Sequence, residues 1–152
     1  MQKYYYSYNE FLKDIKILLS KCQMFDFEVI LGVSRGGLTL AHFMGEALDI
    51  RKVYTLNSIH YEGTQKLDTF DIFNIPDLSQ ASKVLIVDDI VDSGETMLEI
   101  MKKLKEKYPL CEFKTASLFY KSTAIMKPDF SVKEAPVWID FFWQMDLTLD
   151  NG

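Results

Sequence analysis

Apolar residues in this chain fall into short unbroken runs, separated by stretches in which they recur every three or four positions. Val29-Ile30-Leu31-Gly32-Val33 and Val84-Leu85-Ile86-Val87 are runs of the first kind with polar residues on either side, the pattern of strands buried on both faces of a parallel sheet. Val53 to Ile59 and Lys114 to Tyr120 have strand composition as well. Elsewhere the spacing turns helical. Ser7-Tyr8-Asn9-Glu10 has capping-box spacing, and Phe11, Ile15, Leu18 and Cys22 follow on one face with Lys13, Asp14 and Lys16 on others. Leu38 to Leu48 predicts a second helix, and Met97, Leu98, Ile100, Met101 and Leu104 mark a third. Strands alternating with helices predict an α/β fold with a doubly wound, mostly parallel sheet flanked by helices.

Three segments carry no such period. His60 to Asp71 holds Gly, Thr, Gln, Lys and Asp and is expected to be a mobile loop. Asn74 to Ser82 reads as a connector, and the remainder, with Pro128, Pro136 and the aromatic run from Trp138 to Trp143, is shorter and less regular. No repeat, low-complexity tract or linker divides residues 1–152, so a single domain is expected. A hydrophobic content of 48% is ample for its core.

Charge and composition narrow the classes. A net charge of −5 and a pI near 5.0 give no electrostatic footprint for nucleic acid. The first ten residues contain four Tyr and one Lys but no aliphatic signal-peptide core, and no apolar run approaches membrane-spanning length. The expectation is a cytoplasmic protein without a membrane span. Cys22 and Cys111 are too few and too far apart for a metal knuckle or disulfide framework, and both are expected to be buried, reduced thiols.

Candidate chemistry gathers at two strand ends. The Val84–Val87 run leads into Asp88-Asp89 and then, past Ile90 and Val91, into Asp92-Ser93-Gly94-Glu95-Thr96 and the third helix. A loop feeding a helix N-terminus offers free N–H groups and the macrodipole to an anionic phosphate. Ser34-Arg35-Gly36-Gly37 stands in the same relation to the Val29–Val33 strand. Its adjacent glycines let backbone approach an anion, and Arg35 adds a fixed charge. Taken singly each piece has an ordinary structural explanation: an Asp pair in a solvated turn, a helix cap, a glycine turn. Taken together in register they point to a phosphorylated ligand.

The run from Val84 to Met97 resembles the signature of the type I phosphoribosyltransferases, which use 5-phosphoribosyl-1-pyrophosphate (PRPP). The resemblance implies the phosphoribosyltransferase fold with a small C-terminal hood, and roles for particular residues. Asp88 and Asp89 would hold the ribose hydroxyls, with Asp89 also organising Mg²⁺. The loop Ile90, Val91, Asp92, Ser93, Gly94, Glu95 and Thr96 would wrap the 5′-phosphate. Arg35, Gly36 and Gly37 would hold pyrophosphate, with a non-proline cis peptide near Ser34-Arg35. The segment from His60 to Asp71 takes the place of that family's flexible lid, with Lys66 the candidate for touching pyrophosphate.

The second half is similar to bacterial xanthine-guanine phosphoribosyltransferases. Lys121 follows the Leu118-Phe119-Tyr120 strand end, where an ammonium can donate to a carbonyl at purine position 6. Trp138-Ile139-Asp140 resembles their Trp-Ile-Glu segment, which implies stacking of Trp138 on the base and acceptance of an exocyclic amine by the carbonyls of Trp138 and Ile139. Departures are Asp140 for Glu, Phe142 for Pro, and a longer segment between lid and PRPP motif. The implied activity is transfer of phosphoribosyl from PRPP to N9 of guanine, xanthine or hypoxanthine with release of pyrophosphate. Asp92 would act on the base, Mg²⁺ would be the cofactor, and the chain would pair as a homodimer or homotetramer. Two alternatives stand beside this: a regulator of the same fold that senses PRPP or a nucleotide, and a phosphoribosyltransferase for adenine or a pyrimidine, which Lys121 disfavours.

Overall fold

In the computed structural model, which describes residues 2–63 and 69–148, the Ser7 hydroxyl accepts the Glu10 amide at 3.1 Å and starts helix α1 (Tyr8–Cys22). Ahead of it lies a strand the apolar pattern did not predict, β1 (Lys3–Tyr6). A 3₁₀ turn at Gln23–Phe25 follows α1, and then the expected alternation begins: β2 (Val29–Ser34), α2 (Leu38–Leu48) and β3 (Val53–Tyr61). After β4 (Thr69–Phe73) come β5 (Lys83–Val91), α3 (Glu95–Lys107), β6 (Glu112–Tyr120), β7 (Phe130–Glu134) and β8 (Trp138–Phe141).

Six strands form the main sheet in the order β4-β3-β2-β5-β6-β7, parallel except for β4. Both faces are covered, as the continuous apolar runs require. Phe11, Ile15 and Leu18 of α1 and Leu40 and Met44 of α2 pack with Ile30, Leu85 and Val87 on one side. Ile100 and Leu104 of α3 pack with Leu31, Val84 and Ile86 on the other. The crossover after β2 leads to β3 on one flank and the crossover after β5 to β6 on the other. The chain therefore reverses its winding between β2 and β5, and such a switch point opens a crevice at the carboxyl ends of the two strands.

Four expectations need correction. The acidic pair does not lie beyond its strand: β5 runs on through Asp88 and Asp89 to Val91, because β6 continues to pair with it as far as Val91↔Tyr120. The β2 ladder, by contrast, stops at Gly32↔Val87, so the pair sits where β5 loses its neighbour on one side only. The predicted loop from His60 to Asp71 contains the arms of an antiparallel hairpin, with His60↔Phe70 and Tyr61↔Thr69 in register. The His60 and Phe70 rings stack at 4.4 Å, a cross-strand contact that favours the pairing despite polar composition. Residues 64–68, including Lys66, lie outside the described residues. The hood is not C-terminal alone, for β8 pairs in parallel with β1 as a separate two-stranded sheet. Finally, Cys22 is buried and its thiol is pushed up to about 12 by desolvation, whereas Cys111 is only partly buried. No helix among the described residues is long and apolar enough to cross a membrane.

Candidate active site

The crevice at the switch point is framed by the turn after β2, which packs against β5, and by the turn that follows β5. After β2 the Ser34-Arg35 peptide is cis, as the resemblance implied, and Gly37 N–H donates to the Val33 carbonyl at 2.8 Å, folding the turn back onto its strand. A methyl placed on Gly36 would lie 2.6 Å from Asp89 Oδ2, and one on Gly37 would lie 2.4 Å from the Val87 carbonyl. Both positions therefore need glycine for close approach to β5.

Asp89 is buried. Its amide donates to Asp88 Oδ1 at 2.8 Å, and the Ile90 amide donates to Asp89 Oδ1 at 2.7 Å. Burial raises the Asp88 carboxyl well above the usual carboxylate range, and the neighbouring Asp89 charge adds to it. Burial raises Asp89 too, opposed by the hydrogen bonds it accepts. Each carboxylate would be eased by a cation. No group of three or more His, Cys, Asp or Glu side chains suited to a metal converges among the described residues. A pair of hard oxygen donors fits a small divalent ion that keeps water and phosphate oxygens as its other ligands.

Past β5 the chain turns at Gly94, whose φ of 84° is left-handed. A side chain there would also meet Met126 N and O at 2.7 and 2.8 Å, so glycine is needed twice over. The Ser93 hydroxyl accepts the Glu95 amide at 3.2 Å, and the Ser93 carbonyl accepts Ile125 N–H at 2.8 Å. A cavity of about 120 Å³ opens at the start of α3, lined by Asp88, Ile90, Val91, Asp92, Ser93, Gly94, Thr96 and Met97. Glu95 is not among its walls; its backbone contributes to the turn instead.

A second cavity of about 220 Å³ adjoins this one and shares Ile90 and Asp92 with it. Its other walls are Asp89, Lys121, Val137, Trp138, Ile139, Phe141 and Gln144. Lys121 Nζ lies 3.2 Å from Asp92 Oδ1, a pair the sequence did not announce. The Lys121 amide donates to the Val91 carbonyl at 3.0 Å, which fixes the residue to the end of β5. Trp138 is half exposed, while Ile139 points into the body and is buried. A third, larger space of about 880 Å³ runs from Arg35, Gly36, Leu38 and Thr39 to Trp143, Gln144, Met145 and Asp146.

The sequence-predicted residues thus converge, apart from Lys66, which lies outside the described residues, and the Glu95 side chain. Sequence reasoning missed Gln144, Thr39 and Val137. None belongs to a motif, and only the fold brings Gln144, whose Oε1 accepts the Phe141 amide at 3.3 Å, to two of the three cavities.

Comparison with known proteins agrees with this geometry. The family model described as a phosphoribosyl transferase domain matches residues 1–149. A xanthine-guanine phosphoribosyltransferase of Idiomarina loihiensis is 33% identical over 80% of this chain and 73% of its own length. The structure of a Helicobacter pylori xanthine-guanine-hypoxanthine phosphoribosyltransferase superposes with a TM-score of 0.89 at 41% identity, covering 96% of each chain. A purine phosphoribosyltransferase from Pyrococcus horikoshii gives 0.84 at 30% identity over 99% of each. From its carboxylate pair, its two glycine turns and these relatives, the chain belongs to the type I phosphoribosyltransferases, a family of pentosyltransferases.

Proposed function

We propose that this protein transfers phosphoribosyl from PRPP to N9 of a 6-oxopurine base, guanine, xanthine or hypoxanthine, and releases pyrophosphate in purine salvage. The observation that carries this reading is the adjacency of the two smaller cavities. A turn suited to the 5′-phosphate and a pocket with a lysine donor and an exposed tryptophan share Asp92 as a common wall, the juxtaposition a ribosyl donor and a planar acceptor require.

The phosphate would sit against Ser93, Gly94 and Thr96 at the N-terminus of α3, and Arg35 with the Gly36-Gly37 turn would take pyrophosphate, together with Lys66. Asp88 and Asp89 would hold the ribose hydroxyls and Mg²⁺, whose charge offsets that developing on the leaving pyrophosphate. In the pocket, Lys121 and Asp92 form a donor and an acceptor side by side. The O6 and N7–H groups of an oxopurine lie side by side on one edge and complement them in that order. As N9 bonds to C1 and the C1–O bond to pyrophosphate breaks, Asp92 would take the N7 proton, leaving a neutral purine in the nucleotide. Trp138 would stack on the ring, and the Trp138 and Ile139 carbonyls would accept the 2-amino group of guanine.

The test is steady-state kinetics of Lys121→Ala. Loss of a charged donor to O6 is expected to raise the guanine KM by about 10- to 100-fold with the PRPP KM changed by less than about twofold. Guanine kinetics left intact would overturn the assignment of Lys121 to the base.

A further inference from the structure

The strand carrying Trp138 and Ile139 is poorly supported by its own sheet. Strand β8 has four residues and pairs only with β1, itself four residues long, and a two-stranded sheet of that size does not hold its place unaided. Its own Ile139 and Phe141 are buried, Phe141 meeting Phe119 of β6 edge-on at 5.8 Å, and a further tie to the body is Tyr6, the last residue of β1, which is fully buried. Its ring meets Phe141 of β8 edge-on at 5.7 Å and Phe119 of β6 at 4.9 Å. Phe119 stands two residues before Lys121. One ring therefore touches both strands that lead into the 220 Å³ pocket.

The Tyr6 hydroxyl fixes that ring in turn. It donates to Asp14 Oδ2 at 2.6 Å, and the same oxygen lies 3.0 Å from Lys133 Nζ on β7. Lys133 also sits over the Tyr6 and Phe119 rings, 5.5 and 5.6 Å from their centroids. Asp14 is buried as well, so the hydroxyl and carboxylate satisfy each other away from water, while the half-buried Lys133, also 3.8 Å from Glu10 Oε2, closes the cluster toward solvent. Nothing in the transfer reaction calls on this cluster.

We propose that Tyr6 is a positioning residue for base binding: through Asp14 and Lys133 it holds β8, with Trp138 and Ile139, at a set distance from Lys121. The inference rests on the function proposed above and deepens it, because it names what sets the width of the purine pocket. A pocket held this way loses base affinity when the anchor slackens, while the phosphate turn, which is held by β5 and the Ile125 amide, does not change.

The experiment is Tyr6→Phe, which keeps the ring contacts and removes only the hydroxyl. The guanine KM is expected to rise about three- to tenfold, with the PRPP KM within about twofold of the wild type. Hydrogen exchange of the amides at 138–141 is expected to quicken, with those at 84–87 unchanged. A parallel rise in both Michaelis constants, or exchange at 138–141 identical to the wild type, would overturn the positioning role. Failure of the wild-type protein to use any oxopurine would sink the proposed function instead, and the exchange measurement, which needs no turnover, would still decide on Tyr6.

Discussion

Gly36 and Gly37 are neighbours in the chain but face different atoms, and replacing each by alanine probes a different part of the site. The Gly37 methyl would run into backbone, the Val87 carbonyl at 2.4 Å, so β2 and β5 must move apart. Gly37→Ala is expected to lower stability by about 1–3 kcal/mol, read from urea denaturation. The Gly36 methyl would instead press on the buried Asp89 carboxylate, a side chain and not backbone. Gly36→Ala should leave the denaturation midpoint closer to wild type yet weaken PRPP binding measured with Mg²⁺ by calorimetry. The acidic pair makes a second prediction. Both carboxyls are raised above the unfolded value, about 3.9 for Asp, so the folded state binds more protons than the unfolded one above that pH. Their contribution to stability is therefore fully present below about 3.9 and is lost as pH rises through the raised folded values. Asp89→Asn should flatten that decline in unfolding free energy, measured from about pH 4 to about pH 7. An identical slope in the variant would contradict it. At this scale the motif residues stood out because particular residue types follow one another in a fixed order, Asp88-Asp89 and Asp92 to Thr96 after one strand and Ser34 to Gly37 after another. Tyr6 and Gln144 were not, since a tyrosine among four in the first ten residues and a lone glutamine carry no pattern of their own.

Elements divide along a similar line. The three helices and the central strands β2 and β5 could be read from periodicity, because each buries a face or both faces within its own span. Strands β1 and β8 could not. They pair with each other far apart in the chain, and Tyr4, Tyr5 and Trp138 remain substantially exposed. The end of β3 beyond Ile59 and the whole of β4 escaped for a related reason: they form the outer arms of a hairpin at the sheet edge with residues facing solvent, so composition there resembles a loop. Ser7 joins the legible and illegible parts, since it caps α1 directly after Tyr6 closes β1. Ser7→Ala is expected to cost about 1 kcal/mol of stability, read as a shift of the denaturation midpoint at unchanged slope. No shift would mean that the helix start is held by the β1–β8 pairing and not by its cap.

On the scale of the whole molecule, a doubly wound sheet supplies one crevice at its switch point, where the turn after β2 packs against β5 and the turn after β5 starts α3. The hood, drawn from both ends of the chain, closes the side where a base would lie. A net charge of −5 leaves attraction of a polyanion to local groups, the α3 N-terminus, Arg35 and the glycine turns, and not to the field of the protein as a whole. The family was legible in the sequence from the fourteen residues Val84 to Met97, and an oxopurine base was expected from Lys121 and Trp138, but the preference among oxopurines was not legible, because it depends on how the hood and Lys121 face each other across a pocket that no single segment forms. Choice of base is tested most directly by following PRPP-dependent nucleotide formation with guanine, xanthine, hypoxanthine, adenine and orotate side by side. The expected result is turnover of the oxopurines with guanine first and with adenine and orotate poor, since adenine would set an amine donor against the Lys121 ammonium. Adenine used as well as guanine, or no oxopurine used at all, would contradict the account.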